Sequence, residues 1–80
     1  MQKPSTSGTL VLKCQLADAE IWLDSKYFRE VAEVTRGVRL PAGPHRLEVR
    51  HPDYHSMYYE LELAPQERKT LEVELAPLLR

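Results

Sequence analysis

The feature that most constrains the fold of this chain is a two-residue alternation of apolar and polar side chains, in short runs that end at turn-forming residues. The clearest run spans 45–51. Its inward side would carry His45, Leu47, Val49 and His51, and its outward side Arg46, Glu48 and Arg50. Alternation of this kind is typical of a β-strand with one face on a core. We therefore predict a strand here, with known inward and outward sides.

Further runs of the same kind lie at 9–14, 19–24, 58–63 and 71–75, with a shorter one at 38–40. Small polar residues or prolines mark the turns between them, at 24–26, 52–54 and 64–69. The two prolines and one glycine of 41–44 cannot continue a sheet ladder, so this segment is predicted to be a loop between two strands.

The stretch 27–35 fits the spacing of a helix as well as that of an irregular strand. Val31, Val34 and Thr35 are β-branched, and a lone helix of about ten residues is marginal without a docking face. We therefore expect a loop followed by a strand in this stretch.

These runs predict an all-β fold, a small antiparallel β-sandwich or partly open barrel of about six strands. There is no amphipathic helix that would make a parallel crossover between strands. The predicted core is aliphatic and draws on every run: Leu10, Leu12, Ile21, Leu23, Val38, Leu40, Leu47, Val49, Leu61, Leu63, Leu71, Val73 and Leu75.

Eighty residues allow a single compact core. We expect a linker or fragment edge at 1–7, the domain at 8–77 and a short tail at 78–80. No stretch approaches the roughly 18 apolar residues that span a bilayer, and no apolar signal-peptide core follows Lys3. Membrane insertion by this chain is therefore not expected.

Charge and cysteine content argue against several functions. Eleven Lys and Arg against twelve Asp and Glu give a formal net charge of −1, far from the basic excess that binds nucleic acid. The single cysteine, Cys14, allows neither an internal disulfide nor a CxxC signature. It falls on the inward side of the first strand, where a thiol is normally protonated and inert. We therefore expect no catalytic cysteine.

The three histidines do not predict a metal site. His45 and His51 would be roughly 20 Å apart on one strand, and only His51 and His55 could converge, with Asp53 as the one evident third ligand. For His45 we expect a hydrogen bond to a loop carbonyl. The glutamates on the outward sides of the last two strands are expected to keep those strands soluble and to discourage edge pairing. No catalytic residue, cofactor or metal is predicted, and the chain is expected not to be an enzyme.

Several short motifs follow one another in a set order. Gly8-Thr9-Leu10 opens the first strand, Ala19 precedes a hydrophobic strand that ends in Asp24-Ser25-Lys26, and 40–49 runs from a leucine through a glycine and a histidine into an alternating strand. In this order, over 8–77, they resemble the PEGA domain family of small β-sandwich modules. Ser25 stands where that family has a glycine, and the Gly-x-x-Pro element expected after this turn is missing.

The resemblance implies an Ig-like or prealbumin-like sandwich with a structural or interaction role, because the family carries no shared active site. Its members occur in bacterial and archaeal surface proteins, in lipoproteins and in the outer parts of membrane-bound kinases. It therefore implies an accessory module of a larger bacterial protein, on the cell surface or outside the cytoplasm, that serves as a spacer or contacts a protein partner or neighbouring domains.

Aromatic residues give the one functional hint in the residues themselves. Trp22 and Tyr58 fall on the side of their strands opposite the core, and Tyr27 and Phe28 follow close after Trp22. Clustered exposed aromatics would mark an interaction surface made of these four residues. Three alternatives remain: a second small core in which Tyr27, Phe28 and Val31 cover Trp22, a site for cell-wall saccharide, and a self-complementary patch that forms a homodimer.

Overall fold

The computed structural model describes residues 6–79 and confirms a small all-β sandwich. Seven strands and one short 3-10 helix (Val31–Glu33) follow in order, one strand more than the sequence suggested. The strands are β1 (Ser7–Cys14), β2 (Glu20–Leu23), β3 (Lys26–Glu30), β4 (Val38–Pro41), β5 (Gly43–His51), β6 (Tyr54–Leu63) and β7 (Arg68–Val73). The linker expected at 1–7 lies outside the described residues except at 6 and 7, and Ser7 already belongs to β1.

The strands form two sheets, one with the order β4-β1-β7 and one with the order β3-β2-β5-β6. Every named strand pair is antiparallel except β1 with β7, which run parallel from Thr9 opposite Arg68 to Cys14 opposite Val73. The side-chain amide of Gln15 then extends this ladder. Its Nε2 donates to the Leu75 carbonyl at 2.7 Å, and its Oε1 accepts from the Leu75 N–H at 3.1 Å.

Aliphatic side chains from both sheets fill the space between them. Leu12 and Val73 come from one sheet and Ile21, Leu47 and Val49 from the other, all nearly inaccessible to solvent. A smaller cluster combines Leu10, Leu40 and Leu63. All the predicted core residues lie in these clusters or pack against them. The buried aliphatic residues that the predicted core does not include are Val11, Ala19, Val31 and Val34.

The expectation of a loop and then a strand at 27–35 is wrong, because the order is reversed. β3 comes first, and the 3-10 helix after it places Val31 and Val34, three positions apart, in the core. In a helix with three residues per turn, such positions share a side. Backbone bonds hold the turn in place, with the Val31 N–H donating to the Ala19 carbonyl at 2.9 Å and that of Ala32 to Ala17 at 3.0 Å.

The predicted loop at 41–44 is also wrong, since only Ala42 lies between β4 and β5. Pro41 ends β4, an edge strand, where a missing N–H costs no ladder bond. Pro44 is paired with Glu62 of β6 but lies beyond the part of β5 that pairs with β2. Gly43 takes φ +122°, a conformation that other residues rarely adopt, and the chain crosses from one sheet to the other here.

The turns predicted at 24–26 and 52–54 are confirmed at 24–25 and 52–53, while Lys26 and Tyr54 are already the first residues of β3 and β6. Asp24 and Ser25 form a two-residue hairpin turn with φ values of 50° and 73°, both left-handed, as the favoured hairpin turn requires. Among residues 6–79, the helical content is a single 3-10 turn, so no helix there has the length or apolar character to cross a membrane.

Candidate functional site

The outward side of the four-stranded sheet, called here the outer face, carries three of the four predicted interaction residues in one row. Trp22 of β2 is paired with Tyr27 of β3 on one side and with Glu48 of β5 on the other, and Glu48 is paired with Tyr58 of β6. Tyr58 is 71% exposed and Tyr27 51%. The strand order therefore brings together aromatics that are distant in the sequence.

Trp22 is half-buried, and it is not among the side chains that pack against the two core clusters. The guanidinium carbon of Arg50 lies 4.1 Å from its ring centroid, within cation–π range, and the Tyr27 ring meets it edge-on at 6.0 Å. The indole N–H donates to Glu20 Oε1 at 3.1 Å. Of the residues expected to cover Trp22 in a second small core, Tyr27 contacts it, while Phe28 and Val31 pack with the aliphatic core instead.

Arg50 is itself fixed by Glu48, its neighbour on the outward side of β5. The guanidinium donates from Nε and Nη2 to the two carboxylate oxygens of Glu48, at 2.5 and 3.0 Å. These bonds lower the pKa of Glu48 and raise that of Arg50. Glu48 therefore stays ionised, with one bond from Arg50 on each carboxylate oxygen.

Two shallow grooves follow β5 and β6 on this side. The first, of about 400 Å³, lies between Trp22 and Tyr58 above Glu48, and we call it the aromatic groove. The second, of about 520 Å³, lies toward Pro44 and is lined by acidic groups, and we call it the acidic groove. Arg46 and Glu60 line both grooves. Their side chains form an ion pair at 3.7 Å and are each about four-fifths exposed, so the pair is weak.

Phe28, the fourth predicted interaction residue, does not lie with the other three. It is half-buried, packs against both core clusters and carries the guanidinium of Arg29 5.1 Å from its ring centroid. Tyr27 and Phe28 are successive residues of a strand, which face opposite sides. A register shift between Ile21 and Trp22 marks a bulge at this point of the β2–β3 pair.

His45 makes the hydrogen bond that the sequence predicts. Its Nε2 lies 2.6 Å from the Pro41 carbonyl oxygen, and its Nδ1 lies 2.9 Å from Asp24 Oδ2. Burial lowers the pKa of this histidine, but the bonds to Pro41 and Asp24 outweigh burial and raise the pKa above its ordinary value. The pKa of Asp24 is lowered, first by a bond from the Arg46 N–H and then by His45.

The remaining candidates from the sequence stay separate from the outer face. His51 Nε2 lies 3.2 Å from Asp18 Oδ2, while its Nδ1 accepts the Asp53 N–H at 3.1 Å. Cys14 is half-buried, and its thiol donates to Gln15 Oε1 at 3.3 Å. Within residues 6–79, no three His, Cys, Asp or Glu side chains are grouped as metal ligands would be.

Sequence reasoning missed Glu48 and Arg50 as members of the outer face. Their alternation placed them on the outward side of β5, but only the pairing of β5 with β2 shows that they meet Trp22. Comparison with known protein families finds no family model that matches the chain, and comparison with curated proteins finds no matching relative. The resemblance to PEGA domains therefore stays a prediction from the order of motifs.

Proposed function

We propose that this chain is a non-enzymatic accessory module, a PEGA-like β-sandwich that contacts a protein partner through the outer face of its four-stranded sheet. The parent is a larger bacterial protein that places the module on the cell surface or outside the cytoplasm. The mechanism is surface complementarity. Partner side chains would pack against the exposed aromatics, and the charged residues between them would set the orientation.

One observation carries the proposal: Tyr58 and Tyr27 stay exposed on a sheet whose other side already buries a complete aliphatic core. The fold does not need these rings for packing. Tyrosine and tryptophan are the residues that interfaces favour, because they offer large contact areas with few rotatable bonds. Their alignment in one row across four strands is what a contact surface requires.

The face supports this role better than the edge of the same sheet. β3 is an edge strand, and addition of a partner strand there would need a regular row of free backbone groups. The bulge opposite Ile21 and Trp22 breaks that regularity, and Lys26, Arg29 and Glu30 place charges along β3. Bulges and charges are the devices by which edges resist strand addition.

The test is selection of a random peptide library displayed on phage, with the wild-type chain and the Tyr58→Ala variant as parallel baits. We expect enriched peptides that bind the wild type and lose affinity for the variant. The matched control is Tyr54→Phe, at the start of β6, which should keep the selected peptides. Selection of no peptide, or of peptides that bind the variant equally well, would contradict a binding role for this face. The module would then serve as a spacer.

A further inference from the structure

We propose that the partner segment bound by the outer face is a proline-rich peptide in the polyproline II conformation, with a basic residue about four positions from its prolines. This inference rests on the proposed function and specifies its partner. The prolines would occupy the aromatic groove, and the basic side chain the acidic groove. Four features of the outer face support this choice.

The first feature is the width of the aromatic groove. Trp22 and Tyr58 lie on β2 and β6, with β5 between them. Neighbouring strands are about 4.8 Å apart, so the two Cα atoms are separated by roughly 10 Å. Two rings standing at that separation leave room for one flat saturated ring in contact with both. Polyproline II segments dock in aromatic-lined grooves in this way.

The second feature is the balance of hydrogen-bonding groups. Both carboxylate oxygens of Glu48, at the base of the groove, accept bonds from Arg50, and the indole N–H of Trp22 donates to Glu20. Arg46 offers further N–H donors, because its one ion pair uses Nε alone. The groove thus presents N–H donors of Arg46 to a bound peptide. A proline-rich backbone matches it, since proline has a carbonyl oxygen and no N–H.

The third feature is charge. Asp24, Glu60 and Glu62 line the acidic groove, against Arg46 and His45. Among the described contacts, no bond is made by the Glu62 carboxylate, while the weak Arg46–Glu60 pair can open without large cost. The groove therefore has an excess of negative charge, which a lysine or arginine of the peptide would complement.

The fourth feature is the distance between the two grooves. From the row of Glu48 and Tyr58 to the row of Pro44 and Glu62 is four residues of β5, or about 13 Å at about 3.3 Å per residue. A polyproline II segment advances about 3.1 Å per residue. About four peptide residues thus separate the prolines from the basic residue, in either chain direction.

The experiment is a titration of the wild-type chain with two synthetic peptides, each with a Pro-Pro pair and an arginine placed before it or after it at that spacing. Trp22 is the only tryptophan, so its fluorescence reports binding at the groove. We expect saturable binding to one of the two peptides. Replacing both prolines by alanine should weaken binding about tenfold, and replacing the arginine by glutamate should weaken it several-fold.

Variants of the protein provide the matched controls. Tyr58→Ala should weaken binding about tenfold and Glu62→Lys several-fold. Glu72→Lys, the same exchange on exposed β7 of the other sheet, should leave the affinity unchanged. If neither proline peptide changes Trp22 fluorescence, or if the alanine peptide binds equally well, the inference is overturned.

The outcomes also separate this inference from the proposed function. If the phage library selects peptides without proline, and Tyr58→Ala abolishes their binding, the interaction face stands and the proline-rich partner is wrong. If soluble cell-wall saccharide fragments bind at the face while the proline peptides do not, both the peptide and the protein partner are wrong. If neither library peptides nor proline peptides bind, the proposed function itself fails.

Discussion

The two sides of β5 differ more than any two regions of this domain. The inward side chains His45, Leu47 and Val49 are at most 8% exposed, and two of them lie in the main core. The outward side carries Arg46, Glu48 and Arg50, which contact other charged or aromatic side chains. The same nine-residue strand thus serves the core with one set of positions and the outer face with the other.

The difference teaches that stability and binding are separable in this molecule by single substitutions. Burial of an aliphatic side chain contributes about 1.5–3 kcal/mol, whereas exposed ion pairs contribute about 0–1 kcal/mol. Substitutions on the inward side should therefore change the free energy of unfolding, and substitutions on the outward side should change binding. Four predictions test this separation, from the largest effect to the smallest.

The largest effect is expected from Leu47→Ala. Leu47 is 1% exposed and lies between the sheets, so its truncation removes buried methyl groups and leaves a cavity. The expected loss is about 2–5 kcal/mol in the free energy of unfolding, measured by urea denaturation. A loss below about 1 kcal/mol would mean that the inward side of β5 is not the core that the structure describes.

The second prediction concerns His45, the one polar side chain among the buried residues described. Because the pKa of His45 is raised in the folded chain, its stabilising contribution is complete below the ordinary pKa of 6.5 and is lost as pH rises through the raised value. The lowered pKa of Asp24 acts in the opposite direction. Its contribution is complete above 3.8 and is lost as pH falls through the lowered value.

The variant His45→Gln should lose about 1–2 kcal/mol near pH 6, because it breaks a charged pair of hydrogen bonds. It should also remove the decline in stability above pH 6.5 that the wild type shows. Urea denaturation across a pH series measures both effects. If stability falls above pH 6.5 equally in the wild type and the variant, the histidine does not cause the decline.

A smaller effect, of opposite sign, is expected at the hairpin turn between β2 and β3. Ser25 has φ 73°, a conformation that costs residues other than glycine about 1–2 kcal/mol. Ser25→Gly removes this strain but adds freedom to the unfolded chain, so we expect a gain of about 0.5–1 kcal/mol. The matched exchange Ser56→Gly, inside β6, should instead lower stability by a similar amount. Thermal unfolding of both variants would distinguish backbone strain from a general effect of glycine.

The smallest change in stability is expected for Arg50→Gln on the outward side. We expect little change in the free energy of unfolding, less than for the other three variants, because solvent screens the ion pair that Arg50 makes. Trp22 fluorescence should nonetheless shift toward longer wavelength and become easier to quench with iodide, because Arg50 covers the ring. An unchanged emission maximum would show that Arg50 does not cover Trp22 in solution. The cation–π contact described for the outward side would then be wrong.

Sequence patterns predicted the elements in which alternation is regular. β5 has its inward and outward residues as predicted, and the core agrees at all thirteen predicted positions, fully or in part. The pattern failed where the backbone leaves the regular pleat. The bulge near Phe28 and the 3-10 turn at Val31 do not keep a period of two. Alternation therefore did not predict β3 or the core residues Val31 and Val34.

Two other features were out of reach for a different physical reason. Alternation is the same in parallel and antiparallel strands, so the parallel pairing of β1 with β7 has no signature in the sequence. The outer face combines residues from β2, β5 and β6, whose alignment depends on register. The sequence indicated that Trp22 and Tyr58 point outward. It did not indicate that Arg50 would lie over the Trp22 ring or that Phe28 would point inward.

The parallel pairing of β1 and β7 has a mechanical consequence. A force that pulls on the start of β1 and the end of β7 acts along both strands, in opposite directions, and loads six consecutive residue pairs at once. Such a ladder must shear as a unit, whereas a hairpin pulled at its open end unzips one pair after another. A module set in series within a tethered protein would thus bear tension through its first and last strands.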